Sequence, residues 1–275
     1  MTDRNDEVSA YLLIDNGLLQ EVSAGYTEAD IESRPAWLEP IYPDRALEVS
    51  PLLIDVEAAY EAGDLDQVMR YWNARKPALH ASIIETRLGH AEIAEHLRHF
   101  IFILDPSGKQ FTLRFADCAV LAPLSSLLTV EQWATMRKPI TNWDIHDRSD
   151  SITELQSSQL GTCTSTPLQL NEVQLTALDE ASEPDHFIAK VRMMHHGASM
   201  LGTAAEQHAW ALAARQIWRA ENNSNPSLLL FLTEGTLLTR GRLLRRVDIA
   251  SLFKKSDASS FREKITEFVE ILKNE

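Results

Sequence analysis

The chain has 275 residues, of which 44% are hydrophobic and 24% are charged, and its net charge is −14 at pH 7 with a pI near 5.1. This composition is typical of a globular protein with a sizeable core and excludes a disordered chain. Because proteins bind polyanions through a basic surface, the acidic balance argues against nucleic acid as a partner.

Cysteine usage and the apolar pattern indicate the compartment. The chain has two cysteines, Cys118 and Cys163, which excludes a disulfide framework and favours free thiols in a reducing cytosol. The first seven residues are acidic with no apolar segment behind them, so we expect no signal peptide. Apolar runs such as 228–232 are too short to cross a bilayer. We therefore expect a soluble, cytoplasmic protein without membrane insertion.

The charge and a polar segment divide the chain. Residues 1–147 contain 12 Lys and Arg against 24 Asp and Glu, whereas residues 148–275 contain 14 against 16. Residues 148–170 are rich in Ser, Thr and Gln, which is typical of a connection between domains. We therefore predict a first lobe at 1–147, a linker at 148–170 and a second lobe at 171–275.

The first lobe is predicted to mix strands and helices. Short apolar runs bounded by turn residues predict strands over residues 9–15, 48–56 and 79–86. Between and after them we predict helix fragments and loop at 18–45, two short helices at 57–75 that are separated at Gly63-Asp64, and a helix at 91–100.

A β-hairpin is predicted next. All residues at 100–104 are apolar, as in a strand that is covered on both faces. Asp105, Pro106 and Gly108 stand at positions that favour a type I turn. Apolar and polar residues then alternate at 110–116, as expected for the second strand.

The end of this hairpin carries two opposite charges. Arg114 lies on the polar face of the second strand, and Asp117 stands where its carboxylate can cap the next helical turn. We expect a bidentate ion pair between them, which would lock the corner from hairpin to helix. A structural role is favoured over a catalytic one, and such a corner is also a suitable rim for a protein-binding groove.

The rest of the chain is predicted to be helical. Thr129 and Gln132 form a capping box for a helix that buries Trp133. Helical spacing then predicts helices over residues 171–181, 187–194, 204–219, 228–238 and 260–272. The predicted fold class is α+β, with an N-terminal mixed α/β lobe that has a small sheet and an all-α C-terminal lobe.

The most metal-like segment is the histidine-rich helix at 90–99. Glu92 and His96 lie one turn apart, as do Glu95 and His99, but the two pairs point about 100° apart and the His-Glu-x-x-His spacing is absent. A solvated helix face is the favoured interpretation. His195 and His196, which end a later predicted helix, are likewise not expected to bind a metal. We expect no metal and no cofactor.

Other catalytic signals are missing. Cys118 follows a predicted cap, but no motif supplies a base or an oxyanion pocket, so a small buried core residue is favoured. The sequence contains no Gly-x-Ser-x-Gly, no phosphate-binding loop of the Walker type and no Gly-x-Gly-x-x-Gly. We therefore expect a protein that is not an enzyme.

One segment concentrates basic charge. Its four arginines are Arg240, Arg242, Arg245 and Arg246. They are suited to binding phosphate or to docking an acidic surface of a partner. A solvated connection between helices is an equally good interpretation.

The order of motifs in the first lobe resembles the DUF4123 family. It runs from the strand at 79–85 and the helix ending in His-Leu-Arg-His-Phe to Asp-Pro-x-Gly-Lys, Phe-x-Leu-Arg-Phe-x-Asp and Leu-x-x-Leu-Leu-Thr-x-Glu-Gln. The resemblance covers residues 9–147. Arg114, Phe115 and Asp117 match the Arg-Phe-x-Asp element, and the family's turn is matched by Asp105, Pro106 and Gly108. Cys118-Ala119 departs from the pattern, where Pro and a larger or basic residue are expected.

Members of that family resemble adaptor chaperones for effectors of bacterial type VI secretion. The resemblance implies a bacterial adaptor that binds a specific effector, a toxin, stabilises it and helps to load it onto the VgrG spike protein. It implies no catalytic residue. We expect the two lobes to grip a segment of the client, with contacts drawn from a pool of tryptophans that includes Trp133.

Two alternatives stay open at this point. One is an uncharacterised enzyme or metal-binding protein that uses the helix at 90–99. The other is a scaffold that binds acidic partners through the arginines at 240–246.

Overall fold

The computed structural model describes residues 8–42, 46–157, 164–196, 200–255 and 257–273. These residues form an α+β fold, as predicted, with nine strands, thirteen α-helices and a 3-10 helix at Leu47–Val49. The strands are β1 (Ser9–Asp15), β2 (Leu38–Pro40), β3 (Pro51–Asp55), β4 (Ala81–Thr86), β5 (Phe102–Leu104), β6 (Gln110–Thr112), β7 (Ile140–His146), β8 (Ile152–Glu154) and β9 (Leu168–Gln169).

The helices of the sheet-containing part come first in the chain. They are α1 (Asn16–Gln20), α2 (Glu28–Glu32), α3 (Val56–Glu61), α4 (Leu65–Trp72), α5 (His90–Arg98), α6 (Cys118–Leu127) and α7 (Val130–Arg137). The remainder are α8 (Glu172–Met194), α9 (Ala204–Ala220), α10 (Pro226–Leu238), α11 (Arg242–Arg246), α12 (Ile249–Lys255) and α13 (Ala258–Lys273). None of the helices in the described residues is both long enough and apolar enough to cross a membrane.

The chain divides into two compact units after Asp179. Unit 1 is Met1–Asp179 and contains all nine strands, whereas unit 2 is Glu180–Glu275 and is helical. The linker proposed at 148–170 stays a prediction. That segment contains β8 and β9, and its residues 158–163 lie outside the described residues.

The main sheet of unit 1 has six strands in the order β2-β3-β1-β4-β7-β8, and every neighbouring pair is antiparallel. A second sheet has the order β6-β5-β9, in which β5 and β6 are antiparallel and β5 and β9 are parallel. No sequence pattern predicts a strand at β2, β7, β8 or β9.

Both faces of the main sheet are covered by helices. On one face, Tyr11 and Leu13 of β1 belong to a core that includes residues of α5, α6 and α7. On the other face, Leu12 and Ile14 belong to a core with residues of α1 to α4. This two-sided burial explains why β1 and β3 are continuous apolar runs, although antiparallel strands commonly expose one face to water.

The predicted hairpin is present as β5 and β6, with Ile103 opposite Phe111. The prediction that both faces of its first strand are covered was wrong, because Phe102 is 41% exposed. The second strand also ends at Thr112, two residues before Arg114, rather than at residue 116. The following Leu113 and Phe115 leave the strand and are buried in the unit 1 core.

Two hairpin turns, 105–109 and 147–151, share one backbone hydrogen bond and the backbone conformation of their fourth residue. In each, the N–H of the fourth residue donates to the carbonyl of the first aspartate, from Gly108 to Asp105 at 3.0 Å and from Asp150 to Asp147 at 3.0 Å. The fourth residue is left-handed in both turns, with φ of 83° at Gly108 and 65° at Asp150. The sequence pattern predicts only the first turn, since glycine is the residue expected in this conformation.

Contacts of its side chain stabilise Asp150 in this unfavourable conformation. One carboxylate oxygen accepts the N–H of Ala78 at 2.8 Å, and the other lies 2.8 Å from Nζ of Lys76. The β7–β8 hairpin therefore depends on long-range contacts that no local sequence pattern reveals.

One helix replaces the two that are predicted at 171–181 and 187–194. The structure has the single helix α8, which continues through Pro184. Proline removes one backbone hydrogen bond from a helix interior. Burial of Phe187, Ile188 and Val191 in the following turns keeps the chain helical despite that loss.

Two buried glutamines join the starts of α7 and α8. Gln132 completes the predicted capping box with Thr129, and Gln174 forms the same reciprocal pair with Asn171. The side-chain amide of Gln174 also donates to Oε1 of Gln132 at 2.7 Å. The residues at the start of α8 therefore belong to the core of unit 1.

The left-handed turn residue can be tested at Gly108. A Cβ at this position meets no atom within 4 Å, so Gly108→Ala changes only the backbone strain. We expect this substitution to lower the free energy of unfolding by about 1 kcal/mol. Gly108→Asn is the matched control, because asparagine tolerates the left-handed conformation, and it should have a smaller effect in urea unfolding. Equal losses for the two variants would contradict the assignment of strain.

Candidate binding site

Arg114 lies between two carboxylates at one end of β1. One of its terminal nitrogens is 3.0 Å from Oδ2 of Asp15 and 3.8 Å from Oδ2 of Asp117. The side chain of Asp15 is 5% exposed and that of Asp117 is 12% exposed, whereas Arg114 is 48% exposed. Burial lowers the pKa of Arg114, but the two carboxylates raise it by more, so the guanidinium stays charged.

The expected bidentate pair between Arg114 and Asp117 was wrong in its geometry. A single nitrogen of Arg114 contacts Asp117, and Asp15 is the closer partner. The other carboxylate oxygen of Asp117 caps α6 by accepting the N–H of Ala119 at 2.9 Å, as predicted for the cap. Sequence reasoning missed Asp15 because it lies 99 residues away, although its Asp-Asn-Gly context is a visible turn signal.

The Arg114 corner, which we define as Asp15, Arg114 and Asp117, connects several elements of unit 1. Asp15 caps α1 by accepting the N–H of Leu18 at 3.0 Å. The backbone N–H of Asp15 donates to the carbonyl of His80 at 2.7 Å, just before β4. The guanidinium thus neutralises two helix-capping carboxylates that come from distant parts of the chain. This is the geometry of a structural ion cluster.

The other residues of the predicted motif have different environments. Phe115 is fully buried, and Trp133 is 4% exposed and donates its indole N–H to the carbonyl of Gln156 at 2.9 Å. Neither side chain is therefore available on the surface. Asp105, Pro106 and Gly108 form the exposed β5–β6 turn, in which Asp105 accepts hydrogen bonds from residues 107 and 109.

The histidines of α5 contact the protein itself. His90 donates through Nε2 to the carbonyl of Leu53 at 3.2 Å, and His96 donates through Nε2 to the carbonyl of Met136 at 2.9 Å. Burial lowers the pKa of His96. Within the described ranges, no three His, Cys, Asp or Glu side chains form a group that could hold a metal ion. His195, just beyond α8, lies 2.9 Å from Glu234.

An open cleft of about 480 Å³ lies beside α5 and α7. Its lining consists of His96, His99, Phe100, Thr135, Lys138, Pro139, Thr164 and Thr166. His99 and Lys138 are the C-terminal caps of the two helices, and the positive charge of Lys138 offsets the negative end of the α7 dipole. Both residues therefore lie at helix ends, and we assign no ligand to the cleft.

The four arginines at 240–246 lie in unit 2, at and after the end of α10. Arg240, Arg245 and Arg246 are exposed, and Arg242 is half-buried. Arg242 donates through Nε to the carbonyl of Thr239 at 3.2 Å. The segment is therefore a solvent-facing cluster of positive charge.

Comparison with known proteins gives one match. Residues 10–135 match the model of the family described as a domain of unknown function, DUF4123. The match includes residues 10–15 of β1, the hairpin and the whole Arg114 corner, and it supports the resemblance in the sequence. No curated protein and no solved structure matches the chain significantly.

The Arg114 corner can be tested by a double-mutant cycle. Arg114→Met leaves a buried carboxylate without its cation, and we expect it to lower the free energy of unfolding by about 2 kcal/mol, less than for a fully buried pair. Asp15→Asn keeps the helix cap, and adding it to Arg114→Met should cost less than the sum of the two single losses. Lys273→Met is the control, because Lys273 pairs on the surface with Glu270. Additive losses in urea unfolding would contradict the coupling.

Cys118 gives a second test of the site. Its Sγ donates to the carbonyl of Ala81 at 3.2 Å, and burial raises the pKa of the thiol to about 12. In a Cys163→Ser background (residue 163 lies outside the described residues), we expect no reaction with a thiol reagent at neutral pH until the protein unfolds. Rapid labelling of the folded protein would contradict the buried, protonated state.

Proposed function

We propose that this chain is an adaptor chaperone of a bacterial type VI secretion system. In this role it binds a specific effector, a toxin, stabilises it in the cytoplasm and helps to load it onto the VgrG spike protein. The observation that carries the proposal is the match of residues 10–135 to the DUF4123 family, together with the Arg-Phe-x-Asp element within it.

The contacts of the potentially reactive groups favour binding over chemistry. Arg114 neutralises two capping carboxylates, and the Cys118 thiol is buried with a raised pKa. His90 and His96 donate to backbone carbonyls. A nucleophile or base needs a free reactive atom that faces a substrate. These side chains are engaged in stabilising unit 1 instead.

Exposed apolar side chains of unit 1 provide material for binding a polypeptide. Tyr60 is 68% exposed on α3 and Met69 is 44% exposed on α4. Phe102 and Phe111 are 41% and 39% exposed on the β5–β6 hairpin. Aromatic side chains and methionines are enriched where proteins bind one another.

The proposal predicts a stable complex with an effector. The probe is a candidate toxin encoded beside this chain, co-expressed with it and purified through a tag on either partner. We expect equal stoichiometry, and we expect the toxin to become insoluble or to be degraded in cells that lack this chain. A toxin that stays soluble and is still delivered after deletion of this chain would contradict the proposal.

A further inference from the structure

The arginine segment, defined as Arg240, Arg242, Arg245 and Arg246, differs from the other basic residues of unit 2. Four basic residues elsewhere in that unit have acidic partners, which are Glu180 and Glu183 for Arg215, Glu180 for Arg219, Glu221 for Lys254 and Glu270 for Lys273. Lys190 and Arg262 lie over the rings of Phe187 and Phe231. None of the four arginines forms an ion pair with a carboxylate of the described residues. Glu206 of α9 interacts electrostatically with Arg240. Arg245 and Arg246 are exposed, so their charge is available to another molecule.

The start of this segment packs against a tryptophan. Trp210 of α9 lies between Gly202 and Gly241, whose φ values are 82° and 73°. A Cβ on Gly202 would lie 2.6 Å from the indole, and one on Gly241 would lie 2.8 Å from it. Both positions therefore require glycine, for the backbone conformation and for the close approach.

Hydrogen bonds also hold residues 201 and 202, just before α9. The buried side-chain amide of Gln207 donates to the carbonyls of Gly202 at 3.0 Å and Leu201 at 3.3 Å. Leu201 is 43% exposed, and the Trp210 ring is half-buried. A fixed apolar surface thus lies beside Arg240, and a surface that is already ordered loses little entropy on binding.

Charge determines which occupant fits. Guanidinium groups bind carboxylates in a planar, bidentate geometry, and the adjacent indole and leucine offer apolar contact. Residues 180–275 contain 13 basic and 12 acidic residues, whereas residues 1–179 contain 13 and 28. A long polyanion such as nucleic acid needs a more extended basic surface than this one segment provides. An acidic peptide segment with an apolar side chain is the better complement.

We propose that the arginine segment, together with Leu201 and Trp210, docks an acidic segment of the client polypeptide. The identity of the client rests on the proposed function. Arg245 and Arg246 supply exposed charge, and the Trp210 surface supplies the apolar anchor next to Arg240.

The experiment measures peptide binding to the full chain by fluorescence anisotropy. The probe is a labelled peptide that alternates glutamate with leucine, and its lysine-for-glutamate counterpart is the negative control. We expect Arg245→Ser/Arg246→Ser to bind the acidic peptide about tenfold more weakly than the unsubstituted chain. Lys254→Ser/Lys273→Ser removes the same charge from unit 2 but leaves the arginine segment intact, and it should bind as the unsubstituted chain does.

Three results would overturn the inference. They are unchanged affinity in the arginine variant, an equal loss in the lysine control, and binding of a single-stranded oligonucleotide as tight as that of the acidic peptide. The same variants are then tested for capture of the candidate effector. Failure of the unsubstituted chain to capture it counts against the proposed function, whereas equal capture by the unsubstituted chain and the arginine variant counts against the inference alone.

Discussion

The buried carboxylate of Asp15 is the constraint around which unit 1 is arranged. It stands at the end of β1, inside the six-stranded sheet, with only 5% of its side chain exposed. Burying a charge without a partner costs several kcal/mol, so a cation has to reach it. Arg114 supplies that cation and contacts Asp117 with the same nitrogen.

This constraint gives each residue of the Arg-Phe-x-Asp element a physical role. The arginine neutralises Asp15, Phe115 enters the core, and the aspartate caps α6. The element therefore determines how the hairpin and α6 attach to the end of β1. A match to a family model over this region accordingly reports on the architecture of unit 1 and names no reaction.

Local patterns predicted the parts of the fold that local physics determines. The strands β1, β3 and β4, the break at Gly63 and the caps at Asp117 and Thr129 all depend on neighbouring residues. The β7–β8 hairpin escaped prediction because Asp150 replaces the expected glycine and is stabilised from Lys76 and Ala78. Asp15 was missed as the partner of Arg114, because sequence spacing does not show which distant strand end meets the corner.

The sequence also showed only part of what determines the role of each candidate binding residue. Trp133 and Phe115 carry apolar signals in the sequence that are explained by burial in the core. The arginine segment is recognisable in the sequence as a cluster of charge. Its proximity to Trp210 is not, since the contact is made through Gly202 and Gly241, which lie in separate loops. Composition thus indicated the charge of the surface, and only the fold showed its apolar neighbour.

We propose different roles for the Arg114 corner, which stabilises unit 1, and for the arginine segment, which binds the client. Hydrogen–deuterium exchange of the full chain, alone and with a saturating candidate effector, tests this separation most directly. We expect amides at 240–246 to exchange more slowly in the complex, whereas those at 113–119, already fixed by the ion cluster, should keep their rates. Slower exchange at 113–119 with no change at 240–246 would contradict the account.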